Sequence, residues 1–159
     1  MAGKRQPAAR SRKPRAGAGY KALRAQDLFE HDADFGVIGR GRTLEAAFEA
    51  AAGAMFSIVA DPAPGVRGER RLAFEFDEPD VELALVTWLN RLLAEARCGG
   101  LALCRFHVRR ENAHWRGEAW GQPWRTDIAR GTEVKGATLT MLSVREMPGG
   151  WEARCVVDV

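Results

Sequence analysis

Across residues 43–60 the apolar side chains Leu44, Ala47, Phe48, Ala51, Met55, Ile58 and Val59 return every three or four positions. That spacing matches the helical turn and lines them up along one buried stripe. Thr43 stands where an N-cap belongs, and Asp61-Pro62 closes the run, because a residue before proline avoids helical geometry. Alanines at 46, 47, 50, 51, 52 and 54 keep the flank slim, so the helix can lie close against a sheet. A helix striped on one side has to bury that stripe against another layer.

Strands supply that layer. Phe35, Val37 and Ile38 mark a first strand, ahead of the helix. Arg71-Leu72-Ala73-Phe74-Glu75-Phe76-Asp77 alternates like a half-buried second one. Asp80 then caps a second helix from Val81, whose inner face is Leu85, Trp88, Leu89 and Leu92 and whose end is Gly99-Gly100. Residues 101–109 read as a strand with Leu103, Arg105 and His107 on one side, joined to a partner at 113–120 by the polar turn Arg110-Glu111-Asn112. Gly121-Gln122-Pro123 opens a loop to Arg130. A last hairpin pairs 135–144 with 151–157 across Met147-Pro148-Gly149-Gly150. The order predicts an α+β fold, a single domain with two helices packed on mostly antiparallel sheet.

The chain has 159 residues, enough for one domain, and 46% are apolar, enough for a core. Its formal net charge of +3 hides an asymmetry. Residues 1–25 carry eight Lys or Arg and no acid, which leaves 16 basic against 21 acidic residues beyond them, a net charge of −5. Residues 1–25 therefore read as a disordered basic tail, too poor in apolar groups to offset the entropy of ordering, attached to a folded unit at 26–159. Such a tail can contact RNA phosphates or stay solvated. With neither a signal peptide nor a membrane span in sight, the expected location is cytoplasmic and no membrane is involved. Cys98, Cys104 and Cys155 are odd in number and lack a C-x-x-C pair, so they read as buried thiols rather than disulfides or zinc ligands.

Phe29-Glu30-His31-Asp32-Ala33-Asp34 crowds ionisable groups just before the first strand. Asp34 at a strand entrance suits a metal ligand or a catalytic acid, although Asp32 and Asp34 in a turn would also hydrogen-bond their own backbone. At the other end the chain closes on Asp158-Val159, an aspartate followed by the terminal carboxylate. If the two strands meet, three carboxylates converge. An oxygen-only cluster favours a hard cation such as calcium or magnesium, with Asp34, Asp61, Glu69 and Asp158 as candidates. The histidines His31, His107 and His114 are scattered, without zinc-site spacing. No G-x-S-x-G nucleophile motif or complete glycine-rich nucleotide motif is present. In Gly131-Thr132-Glu133-Val134-Lys135, the opposite charges Glu133 and Lys135 would project from one face of an incoming strand, as a surface ion pair or a docking surface.

Together these segments resemble the archease family. His31-Asp32-Ala33-Asp34 stands beside the family's H-T-A-D, Thr43-Leu44-Glu45-Ala46-Ala47-Phe48 beside T-L-E-E-A-F, Trp120-Gly121 beside W-G-E, Gly131 to Lys135 beside G-T-E-V-K-A, and the Asp158-Val159 ending beside its Asp plus branched residue. Asp32, Gln122 and Gly136 depart from that pattern. The resemblance covers about residues 26–159 and leaves the basic tail unmatched. It implies a non-catalytic activator of an RtcB-type RNA ligase, promoting the ligase's GTP-dependent guanylylation in tRNA splicing and RNA repair. It also implies a divalent cation on residues matching Asp34, Asp158 and the Val159 carboxylate, with Glu69 and Asp61 in second rank and calcium ahead of magnesium. Opposed to it stand a metal-dependent phosphatase or nuclease using the same carboxylates, and an RNA-binding or chaperone-like module led by the tail.

Overall fold

The computed structural model describes residues 28–31, 34–60 and 67–159. The basic tail expected at 1–25 and the candidate Asp61 lie outside the described residues. In order along the chain come β1 (Leu28–His31), β2 (Asp34–Gly41), α1 (Leu44–Val59), β3 (Arg70–Asp77), α2 (Val81–Gly99), β4 (Leu101–Glu111), β5 (His114–Pro123), β6 (Gly136–Ala137), β7 (Ser143–Met147) and β8 (Gly150–Asp158). The fold is α+β, and every strand pairing is antiparallel. The strands form two sheets: β1-β2-β8-β6 with β7 also on β8, and β3-β5-β4. No helix among the described residues is long and apolar enough to cross a membrane.

The position of α1 accounts for the two sheets. It packs against β2 and β8 of one sheet and β4 of the other, so its expected single stripe widens: Ala52, Ala54 and Phe56 are buried as well. Its alanines let β2 come close. A Cβ at Gly39 would overlap the Ala47 carbonyl oxygen and the Ala51 nitrogen, so this position has to be glycine. On the other side Phe48 stacks on Trp115 of β5 at 5.0 Å, and Phe56 meets Phe106 of β4 at 5.2 Å. α2 closes the core by burying Trp88, whose indole N–H donates to the Phe48 carbonyl at 3.1 Å. Capping follows the sequence: the Thr43 hydroxyl accepts from Ala46 N at 3.1 Å, and one Asp80 carboxylate oxygen accepts from Glu82 N and Leu83 N at 2.9 and 3.0 Å.

Several strand expectations need correction. A bulge between Leu103 and Arg105 resets the alternation of β4. Leu103 is buried, Arg105 is exposed, and Phe106 and Val108 pack into the core, so Leu103, Arg105 and His107 do not share a face. Gly121, Gln122 and Pro123 continue β5 instead of opening a loop. Gln122 is buried and accepts from the Arg67 backbone N–H at 2.9 Å, a contact its amide makes without burying a charge. The long strand expected at 135–144 is two short ones, β6 and β7, and between them the Thr138 hydroxyl donates to the Val156 carbonyl at 2.8 Å and accepts from Thr140 N at 3.2 Å. The segment stays hydrogen-bonded to β8, with Thr138 N donating to the Val156 carbonyl at 2.9 Å and Val156 N to the Thr140 carbonyl at 3.0 Å, but it turns at 139–141 and resumes as a strand only at β7. Of the cysteines only Cys155 is buried; Cys98 and Cys104 are exposed.

Candidate functional site at the paired chain ends

β2 begins at Asp34, which is registered with His31 of β1. Along its other edge β2 is registered with β8 from Gly41↔Trp151 to Phe35↔Val157. The next position of that ladder sets Asp34 across from Asp158. Val37, Ala153, Cys155 and Val157 fill the core beside α1, so by alternation Asp34 and Asp158 both belong to the opposite face of the sheet. Directly opposed residues place their Cβ atoms about 5 Å apart, and two like charges there repel. Asp158 is exposed and Asp34 half-buried. The pair therefore calls for positive charge.

One positive group is already present. The Lys135 ammonium donates to a Val159 oxygen at 3.0 Å, while the Lys135 backbone N–H donates to the Asp158 carbonyl at 2.7 Å. Gly136 then pairs with Asp158 in β6. Asp34, Asp158, Val159 and Lys135 thus meet at one end of the sheet. Lys135 is tied to the chain end, and Glu133 and Lys135 are exposed on either side of the buried Val134, in an irregular segment rather than a strand. That segment is held at three points. Gly131 N and Thr132 N donate to the Val59 and Ile58 carbonyls at 2.9 Å each, covering orphan carbonyls at the end of α1. A Cβ at Gly131 would overlap the Ile58 oxygen, so the segment can seat there only with glycine. The Arg97 guanidinium donates to the Val134 carbonyl and, at 3.5 Å, to that of Lys135.

Other candidates stand apart. Glu69 precedes β3 in the other sheet and pairs with Arg125 at 2.8 Å. His107 Nδ1 lies 2.8 Å from Glu49, and its Nε2 accepts from Arg109 Nε at 3.1 Å; His114 Nδ1 lies 2.7 Å from Asp77. Among the described residues no group of three or more His, Cys, Asp or Glu side chains is placed to hold a metal ion. Reasoning from sequence passed over Arg97 and Asn90, whose amide bonds both Ala137 N and Ala137 O at 2.8 and 3.1 Å. The only trace of Arg97 in the sequence is its place as a basic residue in the last turn of α2.

This arrangement of two helices and two antiparallel sheets has close counterparts. Residues 27–159 match the model of the Archease protein family. The chain belongs to the archease family. It is 32% identical to the protein archease of Methanosarcina mazei over 139 residues, covering 84% of this chain and 94% of that one. It is 33% identical to the archease of Aeropyrum pernix over 138 residues, covering 82% and 94%. Among solved structures, protein 1598 of Methanobacterium thermoautotrophicum superposes with a TM-score of 0.72 at 27% identity, covering 84% of this chain and 97% of the other. An archease from Thermotoga maritima, described as a possible chaperone, shares the fold with a TM-score of 0.57 at 19% identity, covering 82% and 94%. The archease match thus includes both ends of the carboxylate pair, from just before β1 to Val159.

Proposed function

We propose that this archease is a non-catalytic activator of an RtcB-type RNA ligase, promoting its GTP-dependent guanylylation in tRNA splicing and RNA repair in the cytoplasm. Asp34, Asp158 and the Val159 carboxylate hold one divalent cation in this reading. The observation that carries it is the β2–β8 register, which sets two aspartates opposite each other beside the chain terminus in a member of this family. The donor set is all oxygen, which suits a hard cation, and a flexible chain end adapts more readily to calcium's irregular coordination than to magnesium's strict octahedron. The bound cation supplies fixed positive charge at the sheet end. The chain's own residues position it: the ladder holds Asp34 and Asp158, and Lys135 and Arg97 fix the segment beside them. Glu133 and Lys135 form part of the docking face in this proposal, Glu69 and Asp61 rank second as ligands, and the basic residues 1–25 contact RNA phosphates.

A guanylylation assay of the ligase with and without this protein is the test. Stimulation is expected with the wild type and is expected to vanish with Asp34→Ala, leaving the ligase's basal rate. Calcium titrated calorimetrically onto the wild type should bind at a single site, and extending the chain past Val159 should weaken that binding, because the terminal carboxylate becomes an amide. Turnover of RNA or GTP by this protein alone, lost in Asp34→Ala, would instead assign a metal-dependent phosphatase or nuclease.

A further inference from the structure

The 131–134 segment forms one wall of a cavity of about 380 Å³ between the ends of α1 and α2. Its floor is apolar: Phe56, Val59, Leu93, Ala96, Leu101 and Val134. Trp124 stands at one side, with the Arg130 guanidinium 4.2 Å over its ring, and Arg97 and Glu133 complete the mouth. Among the described residues neither Arg97 nor Arg130 has a carboxylate partner; one grips backbone carbonyls and the other an indole. The site therefore combines a greasy pit with two cations against a single acid. Lys135, the residue after this wall, reaches Val159 with its ammonium, which links the wall of the cavity to the sheet end that carries the carboxylate pair.

We propose that this cavity is a docking pocket for a segment of a partner protein that inserts one large apolar or aromatic side chain and offers a neighbouring carboxylate to Arg97 and Arg130. The volume admits one such side chain, and the two guanidiniums, neither paired with a carboxylate among the described residues, set the sign of the charge beside it. A nucleobase fits the chemistry less well. The floor presents no polar side chain, so the base edges would be buried without partners, at a cost an apolar side chain does not incur. Arg130 stacked on Trp124 is held with its donors free, and an aromatic-plus-Arg pair around a desolvated pit is the usual make-up of an interface hot spot. The inference rests on the activator reading only for the identity of the partner, not for the chemistry of the pocket.

The test uses the full chain labelled with ¹⁵N, titrated with the acetylated tripeptide amide Asp-Phe-Glu, its neutral analogue Asn-Phe-Gln, the truncated Asp-Ala-Glu, and guanosine monophosphate. The acidic aromatic peptide is expected to give saturable shifts at the amides of 131–134 and the Trp124 indole. The other two peptides and the nucleotide should bind at least about tenfold more weakly, roughly the loss of one good contact. Arg130→Glu should abolish the shifts while calcium binding at Asp34 stays intact; because Arg97→Glu also releases the wall, Arg130→Gln and the pocket-filling Ala96→Phe serve as further variants. Equal binding of the neutral peptide or of the nucleotide, or no saturable shift, overturns the proposal. If the peptide binds as expected but the ligase is not stimulated by the wild type, the pocket stands and the ligase assignment falls.

Discussion

At the scale of single residues, environment separates side chains that composition treats alike. Cys155 sits in the sheet core against α1, and burial pushes its thiol up to about 12; Cys104, though exposed at the surface, is raised by partial desolvation against the opposing charge of Arg105, and its Sγ lies 3.4 Å from the Trp120 carbonyl oxygen. A thiol-labelling reagent should modify Cys98 first, Cys104 more slowly, and Cys155 only on unfolding. Because the folded value for Cys155 lies above the ordinary 9.0, the neutral thiol favours the folded state. Its contribution is fully present below pH 9 and is lost as pH rises toward 12, at up to about 1.4 kcal/mol per pH unit. Stability measured from pH 8 to 10.5 should therefore fall more steeply in the wild type than in Cys155→Ala; parallel slopes would sink the argument. The same scale governs Asp34. Its carboxylate faces another across the ladder, so in the absence of calcium Asp34→Asn should leave the melting temperature unchanged or raise it slightly. A marked loss of stability would show instead that Asp34 holds the β1–β2 turn.

At the scale of elements, the helices are delimited by caps and positioned by small residues. Asp80 satisfies two orphan N–H groups and Thr43 one, so Asp80→Ala should cost about 1 to 2 kcal/mol and Thr43→Ala about 1, read from urea midpoints. Gly39→Ala should cost more, about 3 kcal/mol, because the added methyl has backbone on its far side and the strand must retreat from α1. If Gly39→Ala proves milder than Asp80→Ala, the β2–α1 contact is looser than described. Phe48 joins three elements through the Trp115 stack and the Trp88 hydrogen bond to its carbonyl. Phe48→Ala keeps the carbonyl but leaves a cavity against the Trp115 indole and should cost about 3 to 5 kcal/mol.

At the scale of the whole molecule, α1 lies between two antiparallel sheets, and β2, near the start of the described chain, lies beside β8, the last strand. Deleting residues 1–24 removes charge but no apolar periodic segment, so the melting temperature should change little and only RNA binding should lose its salt dependence. A large fall in melting temperature would show that these residues pack on the domain. Local pattern determined most of the elements on its own: the two helices with their caps, the alternating β3, and Asp34 at a strand entrance are consequences of periodicity and capping chemistry, which act over a few residues. The convergence of Asp34 with Asp158 was legible only as a condition, that the two strands meet, because periodicity fixes which face a residue takes but not which strand it lies beside. Tertiary structure decided that pairing, along with the bulge that turns Arg105 away from Leu103, the division into two sheets around α1, and the clamp of Arg97 and Lys135 on the segment ending at Gly136. Each of these depends on contacts between residues far apart in the chain, where the competing arrangements differ in what they bury together and not in any local preference.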